Sequence, residues 1–205
     1  MESHIYNIPL FLVGDPPEEV DIPAFCSKVE NLIPRRLLSN VEMVYVGQFR
    51  ELQGHNALFN NGAIYISNLE PTNHDMLEDF VHEVAHSLEH QFAWQIYDEP
   101  LINEFKAKRR TLKGILDAQG FKISPLLYDF TEHSQKFDDF LAHEVGYPRL
   151  LTLTLGLFSS PYGATSIQEY FANGFEKYFL DSPYTVKKIS PVLHQKIEEI
   201  LNDES

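Results

Sequence analysis

Cysteine is almost absent from this chain. Cys26 stands alone, so no internal disulfide can form, and a reducing interior is the simplest compartment. Long apolar runs are missing as well: none approaches the roughly 20 residues that span a bilayer. The N-terminal run Met1-Glu2-Ser3-His4-Ile5-Tyr6-Asn7-Ile8-Pro9 has no basic region followed by an apolar one, so it does not read as a signal peptide. Together these absences give the expectation of a cytoplasmic protein without membrane contacts, signal-independent export aside. Positive charge is scarce too: 16 Lys and Arg stand against 30 Asp and Glu, a formal net charge of −14. Phosphate-backbone binding needs clustered Lys and Arg, so nucleic acid is not an expected partner. The short basic cluster Lys106-Ala107-Lys108-Arg109-Arg110 reads as a solvated helix face.

What is present suffices for a globular fold. A length of 205 residues, 43% hydrophobic content and 15 phenylalanines fit one domain over residues 1–205 with a substantial core. Extended residues His4 to Val13 lead to a turn at Asp15-Pro16-Pro17, and helical spacing over Ile22 to Ile33 stops at Pro34. Val41 to Val46 reads as a strand, Asn60-Asn61-Gly62 as a turn, and Ala63 to Ser67 as a strand directly after it. Asn103 to Gln119 is an expected helix ending at Gly120. Pro125 to Phe140 is undetermined, and Leu150 to Leu157 is an apolar run that fits helix or buried strand. Ile167, Tyr170, Phe171, Gly174, Phe175, Tyr178 and Phe179 share one helical face, and a last helix runs from Val186 or Pro191 to Leu201.

The most informative segment is Asp79-Phe80-Val81-His82-Glu83-Val84-Ala85-His86. Leu77, Phe80, Val81, Val84, Ala85 and Leu88 make a continuous apolar stripe, while His82, Glu83 and His86 fall off it. Asn73 or Asp75 is the expected cap of this helix. Histidines at i and i+4 stand one above the other, close enough to share a metal ion. The glutamate beside the first can take a proton from a water at that ion.

A catalytic zinc site takes three protein ligands. Zincins whose third ligand is a histidine place a glycine and that histidine three and six residues past the motif, positions held here by Glu89 and Phe92. His90 lies one turn past His86, and a helix rises about 6 Å over four residues, so three histidines on one helix cannot converge on one tetrahedral ion. A carboxylate from a second helix is the alternative, and Glu169 fits it, on the polar face of the Ile167–Phe179 helix. Asn173, one turn on, could hold an imidazole N–H. Tyr162, seven residues before Glu169, could bond the oxyanion formed when water attacks a peptide carbonyl.

His82-Glu83-Val84-Ala85-His86, followed by Tyr162-Gly163-Ala164-Thr165-Ser166-Ile167-Gln168-Glu169-Tyr170-Phe171-Ala172, resembles the glutamate-zincins grouped around the anthrax lethal factor catalytic domain and the Mlc titration factor. The tail is similar as well, with Phe-Leu-Asp-Ser-Pro closing one helix and Ser190-Pro191-Val192-Leu193 opening the next. The resemblance implies an α+β zincin fold with a small N-terminal sheet, an active-site helix and a C-terminal glutamate helix. It implies Zn2+ held by His82, His86 and Glu169, with Glu83 as general base and Tyr162 stabilising the oxyanion. It places Ala63 to Ser67 at the sheet edge where an extended substrate pairs. Where some relatives carry an acid one turn after the glutamate ligand, this chain has Asn173. The 75 residues between His86 and Tyr162 are many, and Trp94 to Ser160 reads as a helical insertion that shapes the substrate cleft or a partner surface. His143-Glu144-Val145-Gly146-Tyr147 copies the start of the motif without a second histidine and reads as a decoy. His55, His74 and His90 read as surface or rim residues. The expected activity is zinc-dependent hydrolysis of a protein or peptide substrate. The alternative is a zinc-binding regulatory or interaction module with little turnover.

Overall fold

The computed structural model describes residues 2–203. They form an α+β architecture with a five-stranded mixed sheet. The chain divides into two compact units, Met1–Gln91 and Phe92–Ser205. No helix among the described residues is long and apolar enough to cross a membrane.

The first unit carries the sheet. His4 to Val13 is not one strand: Tyr6 takes a φ of +56°, and the chain folds back so that β1 (Glu2–Ile5) pairs antiparallel with β2 (Ile8–Leu12). The Tyr6 hydroxyl holds this turn by donating to the carbonyls of Glu30 and Ile33, at 2.7 and 2.9 Å. β2 runs parallel to β3 (Met43–Val46), and β3 parallel to β5 (Ala63–Ile66). Successive residues point to opposite faces. Leu10, Val44 and Ile64 are therefore fully buried on one face, while their neighbours Phe11, Tyr45 and Tyr65 stack on the other at centroid distances of 5.5 and 5.2 Å.

The strand β4 (Ala57–Asn60), which sequence reading passed over, returns antiparallel on β5 and forms the sheet edge. Asn61 and Gly62 link the two at φ of +48° and +80°, the left-handed pair that a two-residue hairpin needs. Ala63 to Ser67 is thus not the edge expected of it; β5 lies between β3 and β4, and the edge is β4. The backbone bonds fix which way that edge faces. Ser67 N–H donates to the Asn56 carbonyl at 2.7 Å, and Gly47 N–H to the Ile66 carbonyl at 2.9 Å, so odd residues of β5 face β4 and even ones face β3. By the register, Leu58 and Asn60 turn their backbone groups toward β5, and Ala57 and Phe59 turn theirs outward.

Helix α1 (Ile22–Leu32) forms as its spacing predicts. Asp21 accepts from Ala24 N–H at 2.9 Å as N-cap, and Ile22, Phe25, Cys26 and Val29 are buried. The histidine helix α2 (Asn73–Ile96) is longer than expected and takes in Trp94. Its N-terminus is held by Thr72, whose Oγ1 accepts from the N–H groups of His74 and Asp75, both at 3.2 Å, and donates to Asp75 Oδ2 at 2.6 Å. The expected cap Asn73 instead bonds Asp21 through both its amide atoms, at 2.9 and 3.0 Å. Met76, Leu77, Phe80, Val81, Val84, Ala85 and Leu88 are buried, as the apolar stripe requires.

The second unit is helical. Helix α3 (Glu99–Ala118) is capped by Asp98 and buries Leu101, Phe105, Leu112 and Leu116 together with Lys108 and Arg109. Two of the cluster's four basic residues are therefore not solvated, while Arg110 is exposed. Lys108 Nζ donates to the carbonyls of Leu157 and Ile189, at 2.6 and 2.7 Å. Arg109 is 0% exposed and donates to the carbonyls of Leu127, Phe130 and Thr165, at 2.7, 3.0 and 3.4 Å, with Phe137's ring 4.0 Å from its guanidinium carbon. Burial pulls its pKa down to about 10, which leaves it charged at neutral pH. The chain continues through the 3₁₀ turn Pro125–Tyr128, α4 (Gln135–Asp139), the π-helical turn Phe140–Gly146 and α5 (Tyr147–Leu153). The glutamate helix α6 (Ile167–Leu180) is followed by α7 (Pro183–Ile189) and α8 (Pro191–Leu201). A Cβ on Gly174 would lie 2.2 Å from Leu193 Cδ2, so only glycine lets α8 approach α6 so closely. Glu104 of α3 fastens both helices, accepting from Tyr170 Oη on α6 and from the N–H groups of Val192 and Leu193 on α8, at 2.9, 2.9 and 3.1 Å.

Candidate metal centre

His82 and His86 stand half-buried on α2, with their Nε2 atoms 3.2 Å apart. A tetrahedral zinc with bonds of 2.0–2.1 Å has ligand atoms about 3.3 Å apart, so this pair already sits at one edge of that polyhedron. His86 Nδ1 lies 2.7 Å from Glu89 Oε1. A carboxylate only accepts, so Nδ1 carries a proton, and in the neutral ring Nε2 then holds the lone pair. Glu89 is a residue that sequence reasoning noted only for not being glycine. Its spacing of i+3 from His86 was the available signal.

Glu83 is 7% exposed, and its Oε2 accepts from Phe59 N–H at 2.6 Å. The base expected from the motif is thus off the apolar stripe yet buried, held by the edge strand.

Glu169 is the third residue of α6. Ser166 caps that helix, its Oγ accepting from Glu169 N–H at 3.1 Å, and the Ser-Ile-Gln-Glu spacing fits an N-terminal cap. The residues on either side of the cap are tied down: Arg109 reaches the Thr165 carbonyl at 3.4 Å, and Ile167 N–H donates to the Thr131 carbonyl at 2.8 Å. One ligand atom from each of His82, His86 and Glu169 lies within 4.8 Å of the others, and this group could hold a metal ion. Two imidazoles and a carboxylate are a donor set that zinc accepts.

Asn173 does not hold an imidazole. Its Nδ2 donates to the Glu169 carbonyl at 2.8 Å, and its Oδ1 accepts from Ser160. Tyr162 sits half-buried in the 3₁₀ turn Tyr162–Ala164, and Thr165 closes that turn with N–H and Oγ1 bonds to the Tyr162 carbonyl at 2.9 and 2.8 Å. The ring of Tyr147 packs against it edge-on, with centroids 6.3 Å apart, and Tyr147 Oη donates to Asp138 Oδ1 at 2.9 Å. Burial first, then Asp138 and the charge of Glu169 among others, push the Tyr147 phenol well above its ordinary range. Within the motif-like segment His143–Tyr147, His143 and Glu144 are exposed, and Tyr147 lies against Tyr162. His55, His74 and His90 are exposed, as expected of surface positions.

Compared with known proteins, the chain matches no protein-family model, no curated protein and no solved structure.

Proposed function

We propose that the chain is a zinc-dependent endopeptidase of the glutamate-zincin type. The observation that carries this reading is the group His82, His86 and Glu169, with two imidazole nitrogens at tetrahedral spacing and a buried carboxylate, Glu83, adjacent in sequence to the first ligand. His82 and His86 would bind zinc through Nε2 and Glu169 through a carboxylate oxygen. Bound zinc would supply Lewis acidity toward a peptide carbonyl. Glu83 takes the proton of the attacking water and passes it to the leaving amine. Tyr162 donates its hydroxyl proton in a hydrogen bond to the developing oxyanion. Glu89 keeps His86 in the tautomer that leaves Nε2 unprotonated. The outward backbone groups of β4 other than the Phe59 N–H, which Glu83 takes, offer an extended peptide a strand to pair with.

The test is a peptide library read by mass spectrometry, with and without chelator, using wild type and Glu83→Gln. Cleavage that needs both metal and Glu83 supports the peptidase. Zinc binding without Glu83-dependent cleavage would leave a metal-binding interaction module instead.

A further inference from the structure

We propose that the backbone N–H of Phe59 is the positioning group for the Glu83 carboxylate, so that the edge strand β4 holds the general base in place. The catalytic consequence rests on the peptidase reading above; the bond itself does not. Phe59 N–H meets Glu83 Oε2 at 2.6 Å, joining residues 24 apart in sequence. Most strand amides are consumed by the neighbouring strand, but Phe59 belongs to the outward-facing set of β4. An outward edge amide normally faces water or invites another strand. Here α2 brings a carboxylate to it, and that carboxylate is 7% exposed. Burying a charge is costly unless it is hydrogen-bonded, and a backbone donor to a carboxylate is among the stronger bonds available.

The geometry also explains why a backbone group suits this task. A glutamate side chain has three torsions and sweeps a wide arc when unrestrained. A backbone amide in a paired strand has no rotamer freedom, so it fixes where the Oε2 atom of the carboxylate sits. Proton transfer requires the base to lie within hydrogen-bond reach of the proton it takes, and misplacement by about 1 Å can cost 10²-fold. An extended peptide pairing with β4 would find the Phe59 amide already spent on Glu83.

Two measurements test this. The first is amide hydrogen exchange of the wild type and of Glu83→Ala. Phe59 should be protected in the wild type and lose most of that protection in Glu83→Ala, while Leu58, which faces β5, keeps its own. Unchanged exchange at Phe59 would overturn the proposal whether or not the protein cleaves peptides. The second compares Phe59→Pro with Phe59→Ala. Both remove the ring, but only proline removes the N–H, and proline is tolerated where an edge amide faces outward. Relative to the alanine variant, Phe59→Pro should lower kcat about 10²-fold with KM and zinc content held. Equal kcat in the two variants would overturn the positioning role. A wild type without chelator-sensitive hydrolysis would sink the peptidase reading, and the exchange experiment would still decide the bond.

Discussion

Glu89 offers the sharpest test of the proposed metal centre, because it can be substituted while every proposed ligand is kept. Its Oε1 lies 2.7 Å from His86 Nδ1, and the two side chains are only 20% and 23% exposed, so water screens the contact poorly. The carboxylate does two things to the ring. It accepts the Nδ1 proton, which in the neutral ring leaves the Nε2 lone pair for the proposed ion, and its charge would strengthen that lone pair as a donor. Removing such an outer partner typically costs 10–100-fold in metal affinity, or about 1.4–2.8 kcal/mol at 1.4 kcal/mol per decade. Glu89→Gln keeps an acceptor and loses the charge, so it should weaken zinc binding about tenfold. Glu89→Ala loses both, so it should approach 100-fold. The assay is competition with a chromophoric chelator at fixed pH and ionic strength, with the exposed Glu18→Gln as a control for net charge. An affinity for Glu89→Ala within about twofold of wild type would refute the assigned role of this contact.

Other expectations follow from the same geometry. Protein purified without added metal should carry close to one equivalent of zinc, and His82→Ala or Glu169→Ala should lose most of it; full occupancy in both would remove the assignment. Glu83→Gln should keep zinc and lose roughly 10²–10⁴-fold in peptide hydrolysis, and Tyr162→Phe should keep zinc and lose roughly 10²–10³-fold; an unchanged rate for the latter would leave Tyr162 a packing residue. Arg109→Ala strips the donor from three carbonyls and should cost about 3 kcal/mol or more in unfolding free energy, visible as a lower thermal midpoint. Burial holds the Cys26 thiol up at about 11, so alkylation at pH 8 should be slow in the folded protein and fast once it is unfolded.

Periodic elements were legible in the sequence, and elements defined by partners were not. Ile22–Ile33 and Ile167–Phe179 carry apolar stripes and stop signals of their own, and both form nearly as read. β4 escaped because Ala57-Leu58-Phe59-Asn60 is short and has no clean alternation; its strand character comes from pairing with β5 across the Asn61-Gly62 turn. The single run His4–Val13 hid a reversal at Tyr6, where a non-glycine residue takes a positive φ and the tyrosine hydroxyl reaches α1 to hold it. Neither expected cap of α2, Asn73 or Asp75, takes that place, which Thr72 fills, since Asn73 had a distant partner in Asp21 that local sequence does not reveal.

The candidate site divides along the same line. His82, Glu83 and His86 are legible because helical spacing alone sets their relation. Glu169 and Tyr162 needed the motif around them, and of the partners that orient the site only Glu89, at i+3 from His86, lies close in sequence. Phe59 acts through its backbone, so no side chain announces it. Arg109 is the clearest case. Its charge suggested solvent, yet the irregular stretch around Pro125–Tyr128 and the turn before α6 leave carbonyls that no helix or strand satisfies. A buried carbonyl without a donor is costly, and a guanidinium presents five N–H groups in a rigid fork. One arginine on α3 can therefore serve three separate carbonyls and hold the approach to the helix that carries Glu169. The stretch Trp94 to Ser160 accordingly contains part of that helix's support, and substitutions at Lys108 or Arg109 should act on stability before they act on substrate choice.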